Sequence, residues 1–394
     1  MTMQRLWALA VLLTAPLLCL SLTSSTLGLK RWSDDEHPFD TVTIAALDGS
    51  IRSRHLSLGA TTINMWVPDK YGQLRDLVAG YDNLTMYLNG TRYFGPVVGR
   101  YANRIKNGTF SIPPTRYTPT NGPNVYHIPT NENNGADTLH GGTDGFDHRT
   151  WVIDAHTSNS VTYSYVDPDG REGFPGTVTT YVTYTLHNRS TWSIKMSASA
   201  NSKTPILLSS HDYWNFDAWN ESTSILDYNL QLSGSRVIET DGILVPTGGL
   251  QDVSGTAYDF RTARTIGSMF NDTVGFCGTG CQGYDTCWIY DELPSTEPRM
   301  SVWSSNSGIR LDIWSNQPAA QVYTCNGIQT ANVTMPRKAD QGGPGEIYEN
   351  HSCMVIEQEG WIDAINNPQW GQDQIYGPER DYLWTSTYRF SIQQ

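Results

Sequence analysis

The chain has 394 residues and a formal charge of −13, with 26 Lys and Arg against 39 Asp and Glu and no basic run, which argues against a nucleic-acid partner. Charged residues are only 16 %, while Gly, Thr, Ser, Asn, Tyr and Trp are abundant, a mixture that favours strands and turns over amphipathic helices. The length allows one large β or α/β domain, or two ordinary ones, with a sizeable core.

At the N-terminus, Arg5 is followed by an apolar run over 6–20 and small residues over 21–25. This pattern predicts a secretory signal peptide over 1–25; an uncleaved signal anchor is the alternative. No later stretch is apolar enough to cross a bilayer, so no membrane association is expected after cleavage. Residues 26–40 form a polar lead, and 41–394 are expected to form a single domain.

Strand-like runs then recur at 41–47, 60–67, 160–166, 176–186, 192–198, 229–231, 300–303 and 309–315. Many alternate apolar with polar, as half-buried antiparallel strands do, most clearly at 178–186. Turn signals at 121–123, 167–170, 241–242 and 342–345 separate them. Short helices are expected at 71–78 and 261–270. The pattern predicts an all-β fold, a large antiparallel β-sandwich with few short helices.

Eight Asn-x-Ser/Thr sequons, at Asn83, Asn89, Asn107, Asn188, Asn220, Asn271, Asn332 and Asn350, accompany the leader and predict a glycosylated secreted protein. Cys19 falls in the leader. Cys277, Cys281, Cys287, Cys325 and Cys353 remain, so two bridges and one thiol are expected, with the pairing open. Cys277 and Cys281 are close enough to close a small loop. A zinc site is the alternative, although no His stands nearby at ligand spacing.

Chemistry-bearing residues concentrate in a few stretches. Residues 98–105 place Arg100, Asn103 and Arg104 near Gly99, where an Arg fork can hold sugar hydroxyls or close a loop as a salt bridge. At 137–146, His140 precedes Gly141 and Gly142; it can donate to a ligand oxygen in a place glycines leave open, or pin a Gly-rich loop. Residues 208–216 hold His211 over an expected aromatic floor of Tyr213, Trp214 and Phe216, with Ser209, Ser210, Asp212 and Asn215 near enough to set its tautomer. Such a His can move protons near neutral pH or be a buried structural residue. The turn at 241–248 carries no chemistry. Asp285 stands at a strand start, where it caps a turn or holds a pair of hydroxyls. Glu357 continues the apolar strand that begins at Met354, while Glu359 and Asp363 are read as the following loop. A carboxylate at the end of a buried strand is costly unless used, and suits a general base; the alternative is pairing with an Arg. One or two His, one Glu, one Asp and one Arg suit proton transfer at a sugar or polyol. No G-x-S-x-G elbow, P-loop or HExxH helix is present.

The order of GRYANRI, LHGG, SHDYWNF, GILVPTG, GYD, QPAAQVYT, IEQEGWIDAINNP and a final Tyr-x-x-Thr-x-Thr-Tyr-x-Phe resembles the aldose 1-epimerases, or galactose mutarotases, over roughly residues 40 to 390. The resemblance implies a large antiparallel β-sandwich and interconversion of the α and β anomers of free aldohexoses such as glucose or galactose, with no cofactor and no metal. It implies His211 as general acid, Glu357 as general base, and Asn103, Arg104, His140, Asp285 and Gln321 as substrate contacts, with Gln317 a weaker claimant for Gln321's role. The chain departs from the family's Asn-His-x-x-Phe-Asn and Glu-Thr-Gln motifs. Ser210, Asp212 and Trp214 surround His211 differently, and Gln358 and Glu359 follow Glu357. An anionic Asp212 is expected to raise the pKa of His211. The alternatives are a sugar-binding protein of the same fold without turnover, an epimerase for another sugar such as a sugar phosphate, and a glycoside hydrolase or lyase on a related sandwich.

Overall fold

The computed structural model describes residues 37–393 apart from 91, 119–123, 293 and 295; the expected leader and most of the polar lead lie outside the described residues. Two antiparallel sheets dominate. One has nine strands, in the order Val152–His156, Ser160–Asp167, Val178–His187, Thr191–Ala200, Tyr382–Ile392, Ile309–Ser315, Met300–Trp303, Asn229–Leu232 and Arg264–Thr265. The other has six, in the order Tyr213–Trp214, Met354–Glu359, Ala319–Tyr323, Asp285–Ile289, Arg236–Thr240 and Pro246–Asp252. A four-stranded sheet over Thr41–Ala45, Arg52–Leu56, Thr61–Pro68 and Leu74–Asp76 adds to them.

The strand alternation explains the layers. In Val178–His187 the even-numbered side chains are buried and the odd ones face outward, so Val182, Tyr184 and Leu186 join the core. Trp192, Tyr388 and Phe390 from neighbouring strands meet Trp214 of the six-stranded sheet as an aromatic cluster. Met354 and Ile356 point the same way, into that core. With a side-chain period of two, Val355, Glu357 and Glu359 must then project from the opposite face, away from the nine-stranded sheet.

The structure confirms the antiparallel strand reading and corrects both helix expectations. Residues 71–78 form a turn and the short strand Leu74–Asp76, where Asp69 gathers the Tyr71 and Gln73 N–H groups and the Arg75 side chain. Residues 261–270 hold a strand, Arg264–Thr265, and the start of a 3-10 helix, Ile266–Thr273. Among the described residues the bridges are Cys277–Cys281 and Cys325–Cys353, with Cys287 free and buried. Asn83, Asn107, Asn188, Asn220, Asn271, Asn332 and Asn350 are all exposed. Among the described residues no helix is long and apolar enough to cross a membrane.

Candidate active site

The outward face of the six-stranded sheet is the floor of a polar cavity. Glu357 pairs across the ladder with Gln321, which in turn pairs with Cys287; Asp285 pairs with Tyr323. Gln321 Nε2 donates to Asp285 Oδ1 at 2.5 Å, fixing the carboxylate over the sheet. Glu357 is buried, and among the described residues its Oε2 has no hydrogen-bond partner. The remaining acceptor capacity suits a hydroxyl supplied by a ligand.

His211 arrives from a crossover. Ser209–Ser210 pairs with Val97–Val98, whereas Tyr213–Trp214 pairs with the strand that carries Glu357. Between them, the His211 N–H donates to Pro96 O and its carbonyl accepts from the Gly95 N–H, each at 3.0 Å. The ring is held at Nδ1, 3.0 Å from the Tyr93 carbonyl. A carbonyl only accepts, so Nδ1 carries the proton and Nε2 faces the cavity, 3.5 Å from Glu357 Oε1.

His140 and Asn103 face each other across the pairing of Arg104–Lys106 with Asp137–Leu139. Both residues have left-handed backbone, with φ of +51° and +58°. The Asn103 N–H donates to His140 Nδ1 at 3.1 Å, and the His140 N–H returns to the Asn103 carbonyl at 3.0 Å. The His140 proton therefore sits on Nε2. Arg104 donates through Nε and Nη2 to both oxygens of Glu132, at 2.7 and 3.0 Å. Arg92, Tyr93, Leu139, Tyr213 and Tyr323 complete the wall of a cavity of about 320 Å³.

Burial acts on the acid–base pair from both sides. It lowers the His211 pKa to about 4 and raises Glu357 well above the carboxylate range, with Glu359 and Asp285 adding repulsion. An empty cavity thus favours the pair holding one proton and no net charge. His140 is pushed well below its ordinary value, by burial first and then by His211 and Arg104, and stays a neutral donor. Ligand atoms of His140, His211 and Glu357 lie within 4.8 Å of one another, a spacing compatible with a metal ion. The tautomers oppose that use: His140 Nδ1 already accepts from Asn103 and its Nε2 is protonated, leaving no lone pair for a cation.

The structure brings His211, Glu357, Asn103, Arg104, His140 and Asp285 to one cavity, with Gln321 directly beneath. Gln317 is elsewhere, donating to Asn316. Arg100 is structural, paired with Asp167 and bonded to Pro175 O and Thr204. Several expectations are corrected. Of the expected aromatic floor Tyr213 does stand beside His211, joined by Tyr93, whereas Trp214 and Phe216 lie in the core. The tautomer is set by the Tyr93 carbonyl, not by Ser209, Ser210, Asp212 or Asn215. Asp212 turns to the Ser210 hydroxyl, where burial raises it to about 7, and it does not lift His211. Glu359 belongs to the strand, not to the loop after it. The glycines after His140 serve the backbone: a Cβ at Gly141 would strike the Gly99 carbonyl and one at Gly142 the Glu172 side chain. Tyr93 and Glu132 escaped the sequence reading. Neither has a local sequence signal: Glu132 meets Arg104 from 28 residues away, and Tyr93 acts through its backbone carbonyl.

A sequence profile described as aldose 1-epimerase matches residues 47–389. The chain is 39 % identical over 386 residues to a probable aldose 1-epimerase of Arthroderma benhamiae, covering 87 % of this chain and 84 % of that protein. It is 33 % identical to the galactose mutarotase of Mus musculus, covering 86 % and 90 % of the two chains. A solved aldose epimerase homologue from C. elegans superposes with a TM-score of 0.77 at 26 % identity, covering 90 % of this chain and 99 % of that one. With that match and this fold together, the chain belongs to the aldose 1-epimerase family.

Proposed function

We propose that this protein is an aldose 1-epimerase, an isomerase that interconverts the α and β anomers of free aldohexoses such as glucose and galactose. The observation that carries the reading is the His211–Glu357 pair, 3.5 Å apart at the base of a polar cavity, with Glu357 Oε2 left without a hydrogen-bond partner among the described residues.

In the productive form the shared proton is on His211 Nε2 and Glu357 is the carboxylate. Glu357 takes the proton of the anomeric O1 hydroxyl while His211 gives its own to the ring oxygen. The C1–O5 bond breaks, O1 becomes the carbonyl oxygen, and the open-chain aldehyde forms. Rotation about C1–C2 presents the other face. O5 then attacks C1 as its proton returns to His211 and Glu357 reprotonates O1. Nδ1 of His211 keeps its proton on Tyr93 O throughout, so only Nε2 exchanges with the sugar. The His140 Nε2–H donates to oxygen where charge develops. Asp285, braced by Gln321, accepts from sugar hydroxyls, and Arg104, oriented by Glu132, and Asn103 hold the ring. The two side chains supply the acid and the base, and the step draws on no cofactor.

The same reading assigns the reaction to sugars outside the cell. It is supported by the N-terminal sequence pattern, two disulfides and seven exposed sequon asparagines. Residues 1–25 are then a cleaved leader and 41–394 the mature domain.

Polarimetry on fresh α-glucose and α-galactose tests the activity. Faster approach to the unchanged final rotation supports it, and the two rates rank the sugars. A rate equal to the buffer blank with both sugars, while a sugar array shows binding, would replace it with a binding protein of the same fold.

A further inference from the structure

Behind the cavity, Glu359 occupies the face of its strand that also carries Glu357, two residues on, yet it does not line the cavity. It is opposed across the ladder by Ala319, which leaves room for its side chain, and it is fully buried. Among the described residues its hydrogen-bond partner is Asn103, whose Nδ2 donates to Glu359 Oε1 at 3.0 Å; Oε2 has none. Burying a carboxyl with one partner costs stability, so stability does not explain it.

Its geometry explains something else. A carboxyl oxygen accepts from the Asn103 amide only through Nδ2, which turns Oδ1 toward the Arg104 N–H at 3.0 Å. With both ends of the side chain fixed, Asn103 is held in its left-handed backbone, and from there its N–H reaches His140 Nδ1. We propose that Glu359 is a positioning residue: it clamps the Asn103 amide, and through the Asn103 N–H it holds His140 as the Nε2–H tautomer that faces the sugar. This rests on the acid–base reading of the cavity. Glu357, Asp285 and Arg104 act on Glu359 electrostatically, but whichever protonation state they favour, Oε1 remains the acceptor.

The test is ¹⁵N NMR of histidine-labelled full-length protein, with kinetics of Glu359→Leu and Glu359→Gln. Wild type should show His140 as a single Nε2–H tautomer. Glu359→Leu should give a mixture with Nδ1–H and lower kcat by up to about 100-fold with a smaller change in KM, as misplacement of a contacting group does. Glu359→Gln should restore both, because its amide oxygen accepts the same bond. Should the leucine variant fail to fold, Asn103→Ala must release the His140 tautomer instead. A wild-type His140 that is Nδ1–H or mixed, a leucine variant with an unmoved tautomer, or a glutamine variant as impaired as the leucine one would each overturn the proposal. The spectra need no turnover, so an inactive wild type would count against the mutarotase reading and leave the tautomer result standing.

Discussion

His211 and Glu357 meet at 3.5 Å, Glu357 from within a strand of the six-stranded sheet and His211 from the crossover that leads into the neighbouring strand of that sheet. Among the described residues neither forms another ion pair at that distance. In the proposed mechanism one proton shared over this gap serves either end of a sugar C1–O5 unit.

Glu357→Gln and His211→Asn should each slow mutarotation by about 10²–10⁴-fold, the usual worth of one acid–base group. Circular dichroism should show an unchanged fold. Full activity in either variant would remove that residue from the mechanism.

The pH profile of kcat/KM should be a broad plateau. The pair works while it holds one proton. A second proton binds as pH falls toward the His211 value of about 4, and the remaining one leaves only above the raised Glu357 value. Stopped-flow polarimetry at constant ionic strength reads both limbs. A single ionisation near pH 6.5, that of an ordinary surface histidine, would contradict the burial argument.

Asp212 supplies a stability test. Its folded pKa of about 7 exceeds the unfolded value of ~3.9, so the folded state binds more protons between them. Its contribution is then greatest in acid and is lost as pH rises through that window. Asp212→Asn removes the loss, so the variant should gain on wild type from pH 5 to pH 8, by on the order of a few kcal/mol. Calorimetry at both pH values measures it; an equal difference at the two would mean Asp212 does not titrate there.

The Cys325–Cys353 bridge closes a separation of 28 residues, joining the end of one cavity strand, Ala319–Tyr323, to the start of the next, Met354–Glu359. Replacing both cysteines by serine should cost about 2–4 kcal/mol, seen as a lower denaturation midpoint in urea.

Glycan occupancy is checked by mass. Expressed through a eukaryotic secretory route, the protein should lose mass on endoglycosidase treatment, and Asn188→Gln or Asn220→Gln should each remove one step, since both side chains stand exposed. An unchanged mass would count against the glycoprotein reading.

Much of this was legible in the chain. The alternation at 178–186 gave its strand, and Met300–Trp303 and Ile309–Ser315 have the bounds their patterns predicted. Glu357 stands out because a carboxylate on a buried strand is expensive without a use, His140 because it precedes two glycines, His211 because it sits among aromatic and polar neighbours, and Asp285 because it opens a strand. What failed was what depends on distant backbone. Nothing local announces that Tyr93 turns its carbonyl to His211, or that Glu132 meets Arg104 across a loop. Glu359 was placed in a loop because a charge after an apolar run reads as a strand end; here the strand continues two residues into a buried polar face. The helix expected at 71–78 yielded to Asp69, whose carboxylate organises a turn that no periodicity reports.

Met354–Glu359 serves the core with one edge of its zigzag and the cavity with the other. Inserting or deleting one residue within it would reverse the sides beyond the change, turning core side chains toward the cavity or a carboxylate into the core. Stability and chemistry would collapse in the same event, whereas a two-residue change would keep the sides and only slide them. The length of this segment is therefore a joint constraint set by the core and the cavity together.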